Sequence, residues 1–400
     1  MKKIDRRSFL GILGAASPAL SLPTQSEVPE VAVIGAGAFG GWTALYLREM
    51  GYSVTLIDAY GPGNARSSSA GETRQIRAAY GERELYSRWV VQALERWKER
   101  EQEWGKKLLF QTGQITFGSD WSSMRTTKAV LDRLGVESEV IAPDELGRRY
   151  PQFDHGGAEY GFHTPSTGVL LCRIACLAVA DAFQRQGGKL VMAKASPGRR
   201  AGGRLQEVEL SNGRTVSAQS FVFACGPWHP KMFPEILGKK LRLNRRVIFF
   251  MGTPDDDERL SYPNCPTFTI RGVYGFPSIN GKGLKIGPYW DSSHLDPDTG
   301  DRTVTTDEVT KAHEFTDKAF PSLAGQPLLE TRVSPRADSV DRHFIVDRHP
   351  ELDNVWIVGG GSGHGFKHGP MMGEHVAQRV AGKQTSPELV ETFKLKDQLF

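Results

Sequence analysis

Residues 31–40 read Val-Ala-Val-Ile-Gly-Ala-Gly-Ala-Phe-Gly, and a carboxylate follows at Asp58. These residue types at this spacing suit a dinucleotide. Gly35 makes a tight turn after an apolar strand. Gly37 lets the backbone approach a pyrophosphate seated at the positive N-terminus of the next helix, beside Ala38 and Phe39. Gly40 lets helix and strand pack closely, and Asp58 is placed to accept a hydrogen bond from a ribose hydroxyl. A lone G-x-G-x-x-G also marks ordinary turns. Here a strand precedes it, a helical pattern (Trp42, Leu45, Tyr46, Leu47) follows, and a second strand ends at the acid.

The rest of the chain supplies elements that must hold such a unit. Helices are expected over 82–103, 122–134, 172–186 and 306–320, and a final one over 370–380. A hairpin is expected over 205–217, where Asn212-Gly213 favours the turn. Apolar strands are expected at 221–224 and 355–358, and residues 241–290 read as strand-rich. The 355–358 strand enters a glycine-rich turn, 359–365, and then a helix. That repeats the opening pattern at the far end of the chain. Two distant segments converging on one cofactor favour a flavin between lobes over a nicotinamide bound by one continuous block. The fold class is α/β in two lobes. The cofactor lobe is expected from 27–105, 150–230 and 325–383, and a mixed-sheet substrate lobe from 106–149 and 231–324. A tail over 384–400 completes the chain.

Composition is that of an ordinary globular chain of 400 residues. Its formal charge of +4 is mostly in the first seven residues, so no basic excess points to nucleic acid. Lys2, Lys3 and Arg6-Arg7-Ser8-Phe9-Leu10, followed by a short apolar stretch, resemble a twin-arginine export signal over 1–26. That predicts the Tat machinery as a partner and a periplasmic or secreted location. The apolar run is too short for a stable membrane span. Cys172, Cys176, Cys225 and Cys265 form no metal-ligand pattern and are expected to be buried thiols.

Four segments together resemble the FAD-dependent amine oxidases of the D-amino-acid oxidase superfamily, in particular the sarcosine oxidase and N-methyl-amino-acid oxidase branch. They are the opening fingerprint, Ser68 to Gly81 with Arg74 and Arg77, Val273 to Gly287 with Tyr274 and Lys285, and Gly361 to Lys367. The resemblance implies FAD, with Ser68, Arg74, Gly363, His364, Gly365, Phe366 and Lys367 at its flavin end. It implies that Arg77 and Lys367 hold a substrate carboxylate, with Tyr274 as an aromatic wall. Lys285 is implied beside the flavin where oxygen is reduced, and Arg74 close to the isoalloxazine face. The implied reaction is hydride transfer from an amino acid to the flavin. The imine hydrolyses, and oxygen becomes hydrogen peroxide.

Other readings of these residues stand beside these. Arg74 and Arg77, expected on one helical turn, could pair with Glu72 or Glu82. Lys285 could be the solvent face of a strand, and His364 a turn residue bonded to backbone. Three departures from the branch also matter. Ser334 stands where relatives carry the cysteine that tethers the flavin, which predicts non-covalent FAD. Ser69-Ala70 and Tyr289 stand where histidines are expected, which weakens sarcosine itself as substrate. Rival functions are a dehydrogenase passing electrons to a quinone or carrier, a flavin-bearing binding or assembly protein without turnover, and an NAD-dependent enzyme.

Overall fold

The computed structural model describes residues 30–400. The expected export signal lies outside them. Strand β1 (Glu30–Ile34) is buried from Val31 onward. It is flanked by parallel strands on both sides, β2 (Ser53–Asp58) and Ser220–Phe223. A parallel strand covered on both faces reads as a continuous apolar run, which explains Val-Ala-Val-Ile. Ile345–His349, Leu352–Gly359 and Lys189–Met192 complete this six-stranded sheet, in which the Ile345–His349 edge alone is antiparallel. The strand order reverses at β1. The crevice between β1 and Ser220–Phe223, at their carboxyl ends, is where an open α/β sheet binds ligands.

Helix α1 (Ala38–Glu49) runs from that crevice and buries Trp42, Leu45 and Leu47. It packs on the helix Gly369–Val380. A Cβ on Gly373 would lie 2.5 Å from the Trp42 Cβ. The N- and C-terminal glycine-rich segments are thereby held side by side.

The second lobe is an eight-stranded sheet built on the long antiparallel pair Leu241–Met251 and Leu328–Ser339. Phe153, Phe249, Phe268, Ile286 and Phe320 form its core. Two of its strands, Tyr160–Thr164 and Leu328–Ser339, fall within stretches expected in the cofactor lobe.

The expected helices appear as α2 (Glu84–Trp104), Trp121–Arg133, Cys172–Arg185, Thr306–Ala319 and Gly369–Val380. Local chemistry sets their ends. Asp120 accepts from the N–H groups of Ser122 and Ser123, and Thr305 with Glu308 forms a capping box. The hairpin pairs Glu207–Leu210 with Thr215–Ser217. One further helix, Pro387–Phe393, lies in the expected tail. Its Phe393 is fully buried against Tyr86, Trp89 and Phe344.

The expectation of a helical turn carrying Arg74 and Arg77 is wrong. Thr73–Ile76 is a strand, β3, paired antiparallel with Gly168–Leu171. Gly71 and Gly81 bound the segment with positive φ (83° and 61°), and the stretch between them is too short to nucleate a stable helix. Pairing with a buried neighbouring strand wins. All four cysteines are buried and free. Burial pushes the thiols of Cys176, Cys225 and Cys265 well up. No helix among the described residues is long and apolar enough to cross a membrane.

Candidate cofactor and substrate site

A cavity of 460 Å³ runs from the Gly35 turn to the face of the large sheet. That size suits a small-molecule or cofactor site, roughly 300–1,000 Å³. Every sequence-predicted site residue lines it except Gly40, which lies beneath the turn.

At the first end, Gly35 has φ 107°, and a Cβ there would lie 2.4 Å from the Ala224 carbonyl oxygen. A Cβ on Gly40 would lie 1.9 Å from the Gly35 oxygen. Only glycine fits either place. The N-cap of α1, Gly37, has no side chain to satisfy the first helical N–H groups. Ser69 Oγ accepts one of them, from Ala38 at 3.1 Å. Asp58 is more occupied than expected. Its Oδ2 accepts from the Ala36 N–H at 2.7 Å, and its Oδ1 from Tyr60 and Gly61 at 2.9 and 2.8 Å. Burial nonetheless raises its pKa against the pull of those donors. Asp58 therefore stiffens the turn while still facing the cavity.

At the other end lies a concentration of cations. Lys367 is only 4% exposed, on a single 3₁₀ turn (Phe366–His368) held by the Trp97 indole N–H, which donates to its carbonyl at 2.9 Å. Its Nζ donates to the Tyr80 hydroxyl at 2.8 Å and the His364 carbonyl at 3.2 Å. That hydroxyl also meets His364 Nδ1 at 3.2 Å and His368 Nε2 at 3.0 Å. One hydroxyl donates once and accepts twice, so three nitrogens saturate it. Once protonated, Lys367 keeps one N–H for the cavity. Arg77 lies over the Tyr80 ring at 5.0 Å and donates to the Ala79 carbonyl. Burial, then Arg77, drives the Lys367 pKa well below its usual value. Burial and Lys367 do the same to His364 and His368.

Lys285 is 2% exposed, on the fully buried strand Leu284–Gly287, so its solvent-face reading is excluded. Its Nζ donates to the Thr73 carbonyl at 2.8 Å and to Thr73 Oγ1 at 3.1 Å. Burial, then Arg74, lowers its pKa strongly. Arg74 donates to the carbonyls of Thr73, Ser68 and Ala70, tying the 68–71 loop to β3. Glu72, the suggested partner of Arg74, pairs with Arg332 instead at 2.7 Å. The Ser68 hydroxyl donates to the Pro335 carbonyl at 2.6 Å. Tyr274 packs against Tyr289 with the rings tilted 51° and their centres 5.7 Å apart, and burial pushes its hydroxyl up to about 12. His364 also meets the Arg342 carbonyl through Nε2 at 3.1 Å, so its backbone-bonding reading holds in part.

No carboxylate among the described residues forms an ion pair with Arg74, Arg77, Lys285 or Lys367. Such a cluster in low dielectric is costly unless an anion completes it. The match to known proteins agrees with this geometry, covering residues 30–379 with the family described as FAD dependent oxidoreductase. The chain belongs to that family. Monomeric sarcosine oxidase of Bacillus sp. (strain B-0618) is 28% identical over 368 residues, covering 90% of this chain and 94% of that protein. Human peroxisomal sarcosine oxidase is 30% identical over 371 residues, covering 88% and 92%. The crystal structure of L-proline dehydrogenase from P. horikoshii superposes with a TM-score of 0.79 at 22% identity, covering 92% of this chain and all of that one.

The residues present fit FAD. The side-chain-free cradle at Gly35 and Gly37 and the α1 N-terminus, whose N-cap residue makes no side-chain hydrogen bond, suit its diphosphate. Both glycine-rich turns meet at one cavity, as a long dinucleotide requires. The sequence-level expectations included no role for Tyr80, Thr73, Ser69 or His368, which position the predicted residues. Only Tyr80, three residues after Arg77, carried a signal in its spacing. The other contacts join segments far apart in sequence.

Proposed function

We propose that this flavoenzyme oxidises the carbon–nitrogen bond of a primary or secondary amino acid (N-methyl, cyclic or D-). The observation that carries it is the pair of basic groups Lys367 and Arg77, without a carboxylate partner among the described residues, in the same cavity as the dinucleotide turn. Sarcosine oxidases among its relatives support the class. When bound, FAD supplies the hydride acceptor and passes the electrons on.

The protein's own work is binding and orientation. Arg77 and the remaining Lys367 N–H hold the substrate carboxylate, and a carboxylate there restores the charge that burial discourages on Lys367. Tyr274 walls the pocket. Fixing the carboxylate places the C–H bond next to nitrogen at a set distance and angle from its acceptor, so rate comes chiefly from positioning. The amine binds neutral, and no carboxylate base is needed. In its charged form Lys285, pinned by Thr73, keeps one N–H for negative charge developing on oxygen as it accepts electrons. Arg74 holds the loop that brings Ser68 and Ser69 to the cavity.

FAD is bound without a covalent bond, since Ser334 lines the cavity with a hydroxyl and cannot form a thioether. Acid precipitation should leave the chain colourless and the colour in solution. The acceptor is oxygen, so peroxide should accumulate with substrate. A turnover rate far higher with an artificial acceptor than with oxygen would reverse this. The chain is exported through Arg6-Arg7, and the mature N-terminus found by mass spectrometry should begin beyond the leader. The test of the whole reading is anaerobic bleaching of the bound flavin against N-methyl, cyclic and D-amino acids. Failure of the entire panel sinks it.

A further inference from the structure

One wall of the cavity is a single face of the antiparallel pair Leu241–Met251 and Leu328–Ser339. Arg246 is paired with Ser334, and Arg336 with Asn244. Alternation along each strand therefore puts Arg246 and Arg336 on the same face at diagonal positions. Their guanidinium carbons lie 5.1 and 5.7 Å from the centre of the Tyr289 ring. Tyr289 is 54% exposed, so this group stands at the open side of the cavity. Tyr274, which touches Tyr289, lies in the field of both arginines.

The two guanidinium groups share too little negative charge. Arg336 is held by Asp338 Oδ2, at 3.0 Å from Nε and 2.5 Å from Nη2. Among the described residues Arg246 has only the Asp291 carbonyl and the Ser292 hydroxyl, the latter at 3.2 Å, and its buried Nε has no partner there. Burial and the neighbouring Arg336 lower its pKa. The α-carboxylate has its own partners at Lys367 and Arg77. A diphosphate has the α1 N-terminus, on the other sheet. Neither accounts for charge placed here.

We propose that Arg246 and Arg336, across Tyr289, form a second anion-binding position that takes a carboxylate at the far end of the substrate, making the substrate a dicarboxylic amino acid. A guanidinium with unpaired N–H groups binds a planar carboxylate in two hydrogen bonds, and an amide isostere cannot replace it. This rests on the amino-acid oxidation reading above.

The test compares the FAD-loaded wild type with Arg246→Met and Arg246→Lys. Bleaching is followed anaerobically with matched pairs, N-methyl aspartate against N-methyl asparagine and N-methyl glutamate against N-methyl glutamine, in both enantiomers. In the wild type the acid should exceed its amide by about tenfold or more in bleaching rate over Kd. Arg246→Met should bring that ratio towards one, and Arg246→Lys should restore part of it. Independently, flavin absorbance titrations should show glutarate binding about tenfold tighter than butyrate, again lost in Arg246→Met. Equal behaviour of acids and amides in the wild type, or a preference that Arg246→Met leaves intact, overturns the proposal. If no amino acid bleaches the flavin, the oxidation reading falls alone, provided that the glutarate preference still depends on Arg246. Melting temperatures of the variants separate binding from misfolding.

Discussion

Lys367 Nζ donates to the hydroxyl of Tyr80 at 2.8 Å, and that hydroxyl is saturated by two histidines besides. The lysine is thus pinned by a neutral group that gives its charge little support. Burial and Arg77 hold its pKa far below the usual value. A bound carboxylate reverses this, so binding should take up a proton. As pH rises through the window where the free protein has Lys367 neutral and the complex has it charged, carboxylate affinity should fall by up to about tenfold per unit. Calorimetry in two buffers of different ionisation enthalpy measures the uptake. Equal heats, or a slope unchanged in Lys367→Met, would count against it.

The clamp itself is tested by truncation. Charge-assisted hydrogen bonds contribute about 1.5–3 kcal/mol each. Arg77→Met and Lys367→Met should therefore each lower the bleaching rate over Kd by roughly 10- to 100-fold. If both variants keep wild-type kinetics, the carboxylate is held elsewhere.

The turn allows a sharper contrast between neighbours. A Cβ on Gly40 meets the Gly35 backbone at 1.9 Å, whereas one on Gly41 meets a Val179 methyl at 3.4 Å. Gly40→Ala should lose bound FAD on purification and melt lower. Gly41→Ala should retain both, since its contact is ordinary packing and alanine favours a helix. Flavin-to-protein absorbance ratios and melting curves read the outcome.

Acid should weaken the fold partly through His375. It is 4% exposed, its Nε2 has no partner among the described residues, and burial with Arg379 lowers its pKa to about 4. The unfolded chain titrates near 6.5. Between those values the unfolded state binds more protons, so stability rises with pH and is lost as pH falls from 6.5 towards 4. His375→Gln should reduce the stability difference between pH 7 and pH 5 by about 2 kcal/mol. Urea unfolding at the two values measures it. The lowered pKa values of His229, His343 and His349 act in the same direction.

Local sequence determined a good deal. The strand–turn–helix at 31–49 was legible because glycine and apolar spacing have few alternative readings. So were the helices capped by Asp120 and Thr305. The positions of Arg77, Lys285 and Lys367 in the cavity followed from motif resemblance. The form of residues 73–76 did not, because a four-residue segment takes its conformation from its partner, and Gly168–Leu171 lies about a hundred residues away.

The chain by itself thus determined a dinucleotide turn and the cationic residues that would serve it. Tertiary structure decided what those residues are bonded to. Asp58 is engaged by three backbone N–H groups, Arg74 by loop carbonyls, Lys285 by Thr73 and Lys367 by Tyr80. Glycine's fit to a turn depends on its own backbone and near neighbours, so it is written locally. The charge and hydrogen bonding of a buried side chain depend on atoms brought from distant segments, and those exist only once the two sheets have closed on one cavity.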